Sequence, residues 1–289
     1  MNIEPECIAC IFNQALRVTK ELDLNKEESK KILDTAGCMV SSFSFLKTPP
    51  QNATPMYEKI AQLLGVEDIY KEQKLSAIKK ADSLYGYAKE LIKKSTDPFE
   101  AATRIAVGGN VLDLASEFSF DLEEELESIL SAEFAIDHMK HLKEDIKRSK
   151  KIVYLADNAG ENVFDRLYIE TIKDLFSDMR IYYFVRARPI INDICYDDLK
   201  NDPIHNCATV VNSGVKTPGI IVEDLNESAK ELFFDADTII SKGMGNYECL
   251  SDYKELTLYY LLKVKCQVVA SSLSLNPGDL VCKSARKED

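Results

Sequence analysis

The chain has 289 residues, 45% of them hydrophobic, enough apolar material for one large domain or two smaller ones. Its 36 basic and 48 acidic residues leave a formal charge of −12, which argues against nucleic acid or an anionic membrane as the main partner and leaves room for a local basic site for a small anion. No run of about 18 apolar residues is present to span a membrane, and the start, MNIEPECIAC, lacks the basic-then-apolar order of a signal peptide. Eight cysteines without a secretory signal read as reduced thiols in a cytoplasm, some of them candidate metal ligands.

Residues 1 to about 147 read as helical throughout. Cys7, Cys10, Ile11, Ala15, Val18 and Leu22 recur at helical spacing, and Ile32, Leu33, Ala36, Val40 and Phe43 share one face of a second segment. Thr48-Pro49-Pro50 reads as a break, with Thr54 and Pro55 opening a new helix to Leu64. Residues 75–92 form a long amphipathic pattern, Asp97-Pro98 opens the next helix, and the acidic run 121–127 reads as a solvated helix face.

From Lys151 the rhythm changes. Short β-rich runs at 152–156, 180–185, 208–211, 238–241 and 267–270 alternate with helical patterns at 162–176, 227–234 and 256–264. That alternation predicts βαβ units around a mostly parallel sheet. The expected fold is α/β, a helical N-terminal part over residues 1–96 packed on a three-layer α/β/α core over 97–289.

The chemistry gathers where these runs end. After the first come Asp157, Asn158 and Glu161; after the second Arg186, Arg188, Asn192 and Asp193; after the third Asn212, Ser213 and Gly214; after the fourth Lys242, Gly243, Gly245, Asn246 and Glu248. Lys265 is placed just before the fifth. In an open α/β sheet such segments share one crevice. Asp157 and Asn158 offer adjacent hard oxygen ligands, which suit Mg²⁺ or Mn²⁺ rather than a closed structural zinc site. Carboxylates, lysines and a Ser-Gly turn in one crevice are what a metal and a phosphate monoester need together.

The motifs DNAGE (157–161), RARPIIND (186–193) and KGMGNYE (242–248), with GGNVLD (108–113) upstream, resemble those of the metal-dependent damage-control phosphatases, long catalogued as a domain of unknown function. The ECIAC start (6–10) is similar to the stand-alone prokaryotic branch, which carries an N-terminal CxxC. The motifs span nearly the whole chain in the family's order. The resemblance implies a divalent metal (Mg²⁺, Mn²⁺, Co²⁺ or Ni²⁺) held by Asp157, Asn158 and Asp193, substrate bordered by Asn110 and Asp113, and Lys242 and Lys265 as the family's lysines. It also implies phosphate removal from small phosphorylated metabolites, sugar phosphates or damaged and surplus species. The mechanistic expectation is a phosphate clamped by the ion, Lys242, Lys265 and the Ser213-Gly214 amides, with Glu161 bordering the substrate. The nucleophile is a metal-activated water or one of the carboxylates Asp157 and Asp193.

Other readings compete. Cys7 and Cys10 share a helix face and read either as core thiols or as a metal or redox pair, for which Cys38, His138 and His141 are the candidate further ligands. Two alternatives from other classes are a non-catalytic metal- or metabolite-binding protein centred on the CxxC, and an S-adenosylmethionine-dependent carboxyl methyltransferase. The latter is opposed by the lack of a glycine-rich fingerprint after the first strand.

Overall fold

The computed structural model describes residues 1–109 and 122–286. The chain opens with three helices, α1 (Pro5–Glu21), α2 (Lys26–Val40) and α3 (Pro49–Leu64). Their apolar stripes close on one another through Ile11, Ala15, Val18, Ile32, Ala36, Met56 and Ile60. Thr48-Pro49-Pro50, expected to break a helix, instead starts α3. Thr48 accepts the Gln51 amide as N-cap, and the two prolines stand where backbone N–H groups have no helical partner. Thr54 and Pro55 therefore lie inside α3 and do not open it.

Next come α4 (Lys71–Lys94), α5 (Pro98–Gly108) and α6 (Leu122–Ser131). Asp97 caps α5 by accepting the Phe99 and Glu100 amides. In α6 Leu126 and Ile129 face inward and the glutamates face solvent. The remaining elements are β1 (Phe134–Asp137), α7 (Met139–Arg148), β2 (Lys151–Leu155), α8 (Glu161–Leu175), β3 (Arg180–Val185) and β4 (Thr209–Asn212). They are followed by α9 (Glu227–Phe234), β5 (Thr238–Lys242), α10 (Gly243–Leu250), β6 (Leu258–Lys263), α11 (Gln267–Leu273) and β7 (Leu280–Ser284). Among the described residues no helix is long and apolar enough to cross a membrane.

Three expectations fail here. Residues 256–264 read as a helix but hold β6, whose first five residues, LYYLL, are all buried because both faces of the strand are covered; it has no strand alternation to show. Residues 267–270 read as a strand but begin α11, which Cys266 caps. The helical reading of 1–147 missed β1, an edge strand of four residues.

The seven strands form one sheet in the order β1-β7-β6-β5-β2-β3-β4. Neighbours from β6 to β4 pair in parallel, and β7 is antiparallel to β6. Alternate residues of β2 serve opposite faces. Ile152 and Tyr154 join the core shared with α4, α5, α7 and α8, whereas Val153 and Leu155 join the core under α9, α10 and α11. This is the α/β architecture expected, with helices on both faces of a mostly parallel sheet.

The order places a switch at β2. The chain leaves β2 through α8 to β3 on one side, and returns through α9 to β5 on the other. Helices α8 and α10 thus depart to opposite faces from adjacent strands, and a crevice opens between their N-termini. The α1–α3 cluster packs over this edge through Ile190 and Ile191, which follow β3.

Phe99 of α5 is 1% exposed, with its ring 5.7 Å from Tyr168 and 6.1 Å from Phe176, so it ties α5 to α8. Phe99→Ala is expected to lower stability by about 3–5 kcal/mol, read as a fall in the urea midpoint. An unchanged midpoint would contradict this packing.

Candidate active site

Two loops at the C-terminal edge are laced together by their backbones. The Ile194 amide donates to the Asp157 carbonyl at 2.9 Å, the Ala159 amide to Asn192 at 2.9 Å, and Asn158 and Asp193 face one another as a bridge. The lacing sets Asp157, Asn158 and Asp193 side by side at the ends of β2 and β3.

Supporting groups hold each side chain. The Arg186 guanidinium donates to Asp193 Oδ2 at 2.7 Å and to Asn246 Oδ1 at 3.2 Å. Asn246 also accepts the Ile220 amide, and its own amide donates to the Ala156 and Lys242 carbonyls. It is fully buried and ties β2, β5 and the 218–220 segment to one point. The Asn158 amide nitrogen donates to Asp157 Oδ2 at 3.0 Å and Glu161 Oε1 at 2.8 Å, leaving its carbonyl oxygen as the side with ligand character. Gly243 is required where β5 turns into α10. Its φ is +75°, and a Cβ there would lie 1.9 Å from Asp157 Oδ2.

Behind this edge lies a buried charge cluster. Lys242, which shows no exposed surface, donates to Glu161 Oε2 at 2.9 Å and Asp165 Oδ1 at 2.7 Å. Asp165 also accepts the hydroxyls of Tyr154 at 2.6 Å and Tyr183 at 2.8 Å. The buried acids of the cluster are Asp157, Glu161, Asp165 and Asp193, and the buried cations bonded to them among the described residues are Lys242 and Arg186. Fully ionised, four carboxylates against two cations leave two negative charges in excess.

The titration directions express that excess. Burial, then the Glu161 and Asp193 charges, push the Asp157 carboxyl well above its usual range against Arg186 and Lys265. Burial also raises Asp193 against the Arg186 guanidinium. For Glu161 burial is outweighed by Lys242, Lys265 and the hydrogen bonds it accepts, and its carboxyl is held low.

A cavity of about 350 Å³ opens onto the laced loops. Asp157, Asn158, Asp193 and Lys265 line it, and Ile11, Pro50 and Met244 supply apolar wall. Lys265 follows the C-terminal end of β6 and does not precede a strand, so it belongs to the same edge as the other groups. Glu248 and the thiols of Cys7, Cys10 and Cys266 line the cavity too. Burial pushes the Glu248 carboxyl up to about 7.

The structure thus brings Asp157, Asn158, Asp193 and Lys265 to one cavity and puts other expected residues elsewhere. Lys242 and Glu161 stand behind the lining, engaged with each other. Ser213 and Gly214 do not line the cavity either: the Ser213 hydroxyl donates to Val185 at 2.7 Å, and the Gly214 amide to Asn212 Oδ1 at 3.0 Å. Asn110 and Asp113 lie outside the described residues. Arg188 pairs with Glu58 at the surface, whereas Arg186, open to the same reading in sequence, is buried on Asp193. His138 and His141 are an edge-to-face pair on another part of the sheet, where His138 Nδ1 accepts the Ser284 amide. Sequence reasoning gave Asn246 no role; its fourfold bonding shows only in three dimensions.

Among the described residues no three His, Cys, Asp or Glu side chains converge in a metal-holding group. The donors at the edge are two carboxylates and an amide oxygen. This is a hard-oxygen set with room for water or phosphate oxygens, and its buried negative charge fits a dication.

Lys242→Met leaves Glu161 and Asp165 buried without their cation and is expected to cost about 3–5 kcal/mol. Lys265→Met, at an exposed position, is expected to stay within about 0.5 kcal/mol of the parent. Denaturant unfolding of both variants reads the difference, and equal losses would contradict the separation of these two lysines.

Known proteins resemble this chain over nearly its whole length. The damage-control phosphatase ARMT1-like domain matches residues 3–281. The chain is 32% identical over 287 residues to the damage-control phosphatase PH1575 of Pyrococcus horikoshii, covering 98% of each. It is 34% identical over 295 residues to a damage-control phosphatase of Archaeoglobus fulgidus, covering 98% of this chain and 99% of that one. To the uncharacterized protein MJ0202 of Methanocaldococcus jannaschii it is 33% identical over 291 residues, covering 97% and 95%. The crystal structure of PH1575, described as a DUF89 family protein, superposes with a TM-score of 0.91 over 99% of this chain and 100% of that one. The chain belongs to the damage-control phosphatase ARMT1-like family.

Proposed function

We propose that the chain is a phosphatase of small phosphorylated metabolites that works with one divalent cation held by Asp157, Asn158 and Asp193. Family membership supports the reaction class. The observation that carries the metal is the buried excess of carboxylate over cation beneath a cavity large enough for a small metabolite. A bound Mg²⁺, Mn²⁺, Co²⁺ or Ni²⁺ would neutralise phosphoryl charge and activate water.

The chain's own residues set the geometry. Arg186 fixes Asp193, and Asn246 fixes Arg186. Lys242 holds Glu161, which turns the Asn158 amide so that its oxygen is left for the ion. Lys265, exposed on the cavity wall, presents an ammonium to phosphoryl oxygens. In this reading Lys242 is a positioning residue and Lys265 the cation that meets substrate. The nucleophile is a water or one of the two carboxylates.

The test is hydrolysis of p-nitrophenyl phosphate by chelator-stripped protein, with each ion added back separately. Turnover is expected to return with at least one ion, to be absent from Asp193→Ala, and to show a raised KM in Lys265→Ala. Substituting the Arg186 support is expected to weaken the ion's affinity about 10–100-fold. No turnover with any ion, from protein that still binds metal, would overturn the phosphatase reading.

A further inference from the structure

The cavity that carries Asp157 and Asp193 also carries thiols that the phosphatase reading does not use. Cys7 and Cys10 lie one turn apart on α1, and Cys266 caps α11. All three are free. They reach the cavity because α1 is laid across the C-terminal edge of the sheet, far in sequence from the strands that supply the carboxylates.

The thiols are not equivalent. Cys10 is exposed, Cys7 is 8% exposed, and Cys266 lies between. Cys7 Sγ accepts the Glu4 amide at 3.5 Å inside the first turn of α1. Burial raises the Cys7 thiol, and the Glu248, Cys266 and Cys10 charges add to this against that bond. Cys10 is therefore the thiol a solution reagent meets first, and Cys7 the one waiting behind it.

We propose that Cys10 and Cys7 form a thiol-modification site in the cavity wall that reacts with small organic disulfides and closes the cavity to substrate. Its effect on turnover rests on the phosphatase reading; its chemistry does not. The Cys10 thiolate attacks one sulfur of a disulfide RSSR, forming a mixed disulfide and releasing RS⁻, which takes a proton from solvent. The Cys7 thiol gives its proton to solvent and attacks Cys10 Sγ, and the second RS⁻ leaves. Two protein thiols are oxidised to one disulfide and RSSR is reduced to two RSH.

Helix geometry permits the second step. Residues three apart have Cβ atoms about 5–6 Å apart, and a disulfide needs about 3.5–4.5 Å. The first turn of α1 must therefore close by roughly an ångström, and that movement draws on the same wall as Ile11. Before it, the R group on Cys10 occupies cavity space that the substrate's organic part needs.

The experiment uses the full chain carrying Cys38→Ser, which removes the other exposed thiol, on α2, and 2-hydroxyethyl disulfide as the probe. Intact mass, peptide mapping and metal-restored turnover are followed together. Expected are a transient adduct at Cys10, then a loss of two hydrogen atoms on the peptide holding Cys7 and Cys10, with turnover falling in step and returning with dithiothreitol. Cys10→Ser is expected to keep its own untreated turnover under the same exposure. A Cys7–Cys10 disulfide with unchanged turnover overturns the proposal, as does equal inactivation of Cys10→Ser or a crosslink that leaves Cys10 out. Should the untreated protein show no turnover with any ion, the phosphatase reading fails separately. The thiol site is then judged by whether inorganic phosphate with Mg²⁺ slows exchange at Cys10: slowing supports it and an unchanged rate overturns it.

Discussion

The structure depends on one unbalanced burial. Asp157, Glu161, Asp165 and Asp193 are taken out of water together, and the buried cations bonded to them among the described residues are Lys242 and Arg186. Charges in a low dielectric must be paired or must neutralise. Lys242 answers for Glu161 and Asp165, with two tyrosine hydroxyls helping, and Arg186 answers for Asp193. At Asp157, burial and the charges of Glu161 and Asp193 outweigh Arg186 and Lys265, and its carboxyl is pushed toward its neutral form. Because the folded chain holds Asp157 and Asp193 above their unfolded values, the stability they lend is present at low pH and is lost as pH rises through the folded values. On the proposed reading, a cation bound between them would reverse that loss.

The sheet supplies this cluster by topology. At β2 the strand order turns back, α8 and α10 leave to opposite faces, and the loops after β2 and β3 are free to lace together. Gly243 lets β5 turn into α10 against Asp157 without collision, and Asn246, four residues into the same motif, joins β2 to β5. The KGMGNYE segment thus acts mainly on the shape of the edge, through its glycine and asparagine, and on the charge behind it, through its lysine.

Much of this was legible in the sequence. Short β-rich runs ending in Asp157, Arg186 and Lys242 located three central strands, and the strand-end rule located the edge. What sequence could not carry was direction and depth. Lys242 and Lys265 both read as lysines at strand ends, yet one turns inward to no exposure and the other stays at the cavity wall. β6 and α11 exchanged readings because a strand buried on both faces has no period, and a seven-residue helix with two valines looks extended. Cys7 and Cys10 were visible as one helix face, but which surface that face would meet depends on how α1 packs.

The central claim is that the buried carboxylates hold one dication at the cavity. Calorimetric titration of the chelator-stripped chain with Mn²⁺, at two pH values and in buffers of different ionisation heat, tests it most directly. The account predicts one ion per chain, tighter binding at the higher pH with protons released on binding, and loss of that binding in Asp157→Asn but not in Cys7→Ser. Binding that is indifferent to pH and survives Asp157→Asn would contradict it.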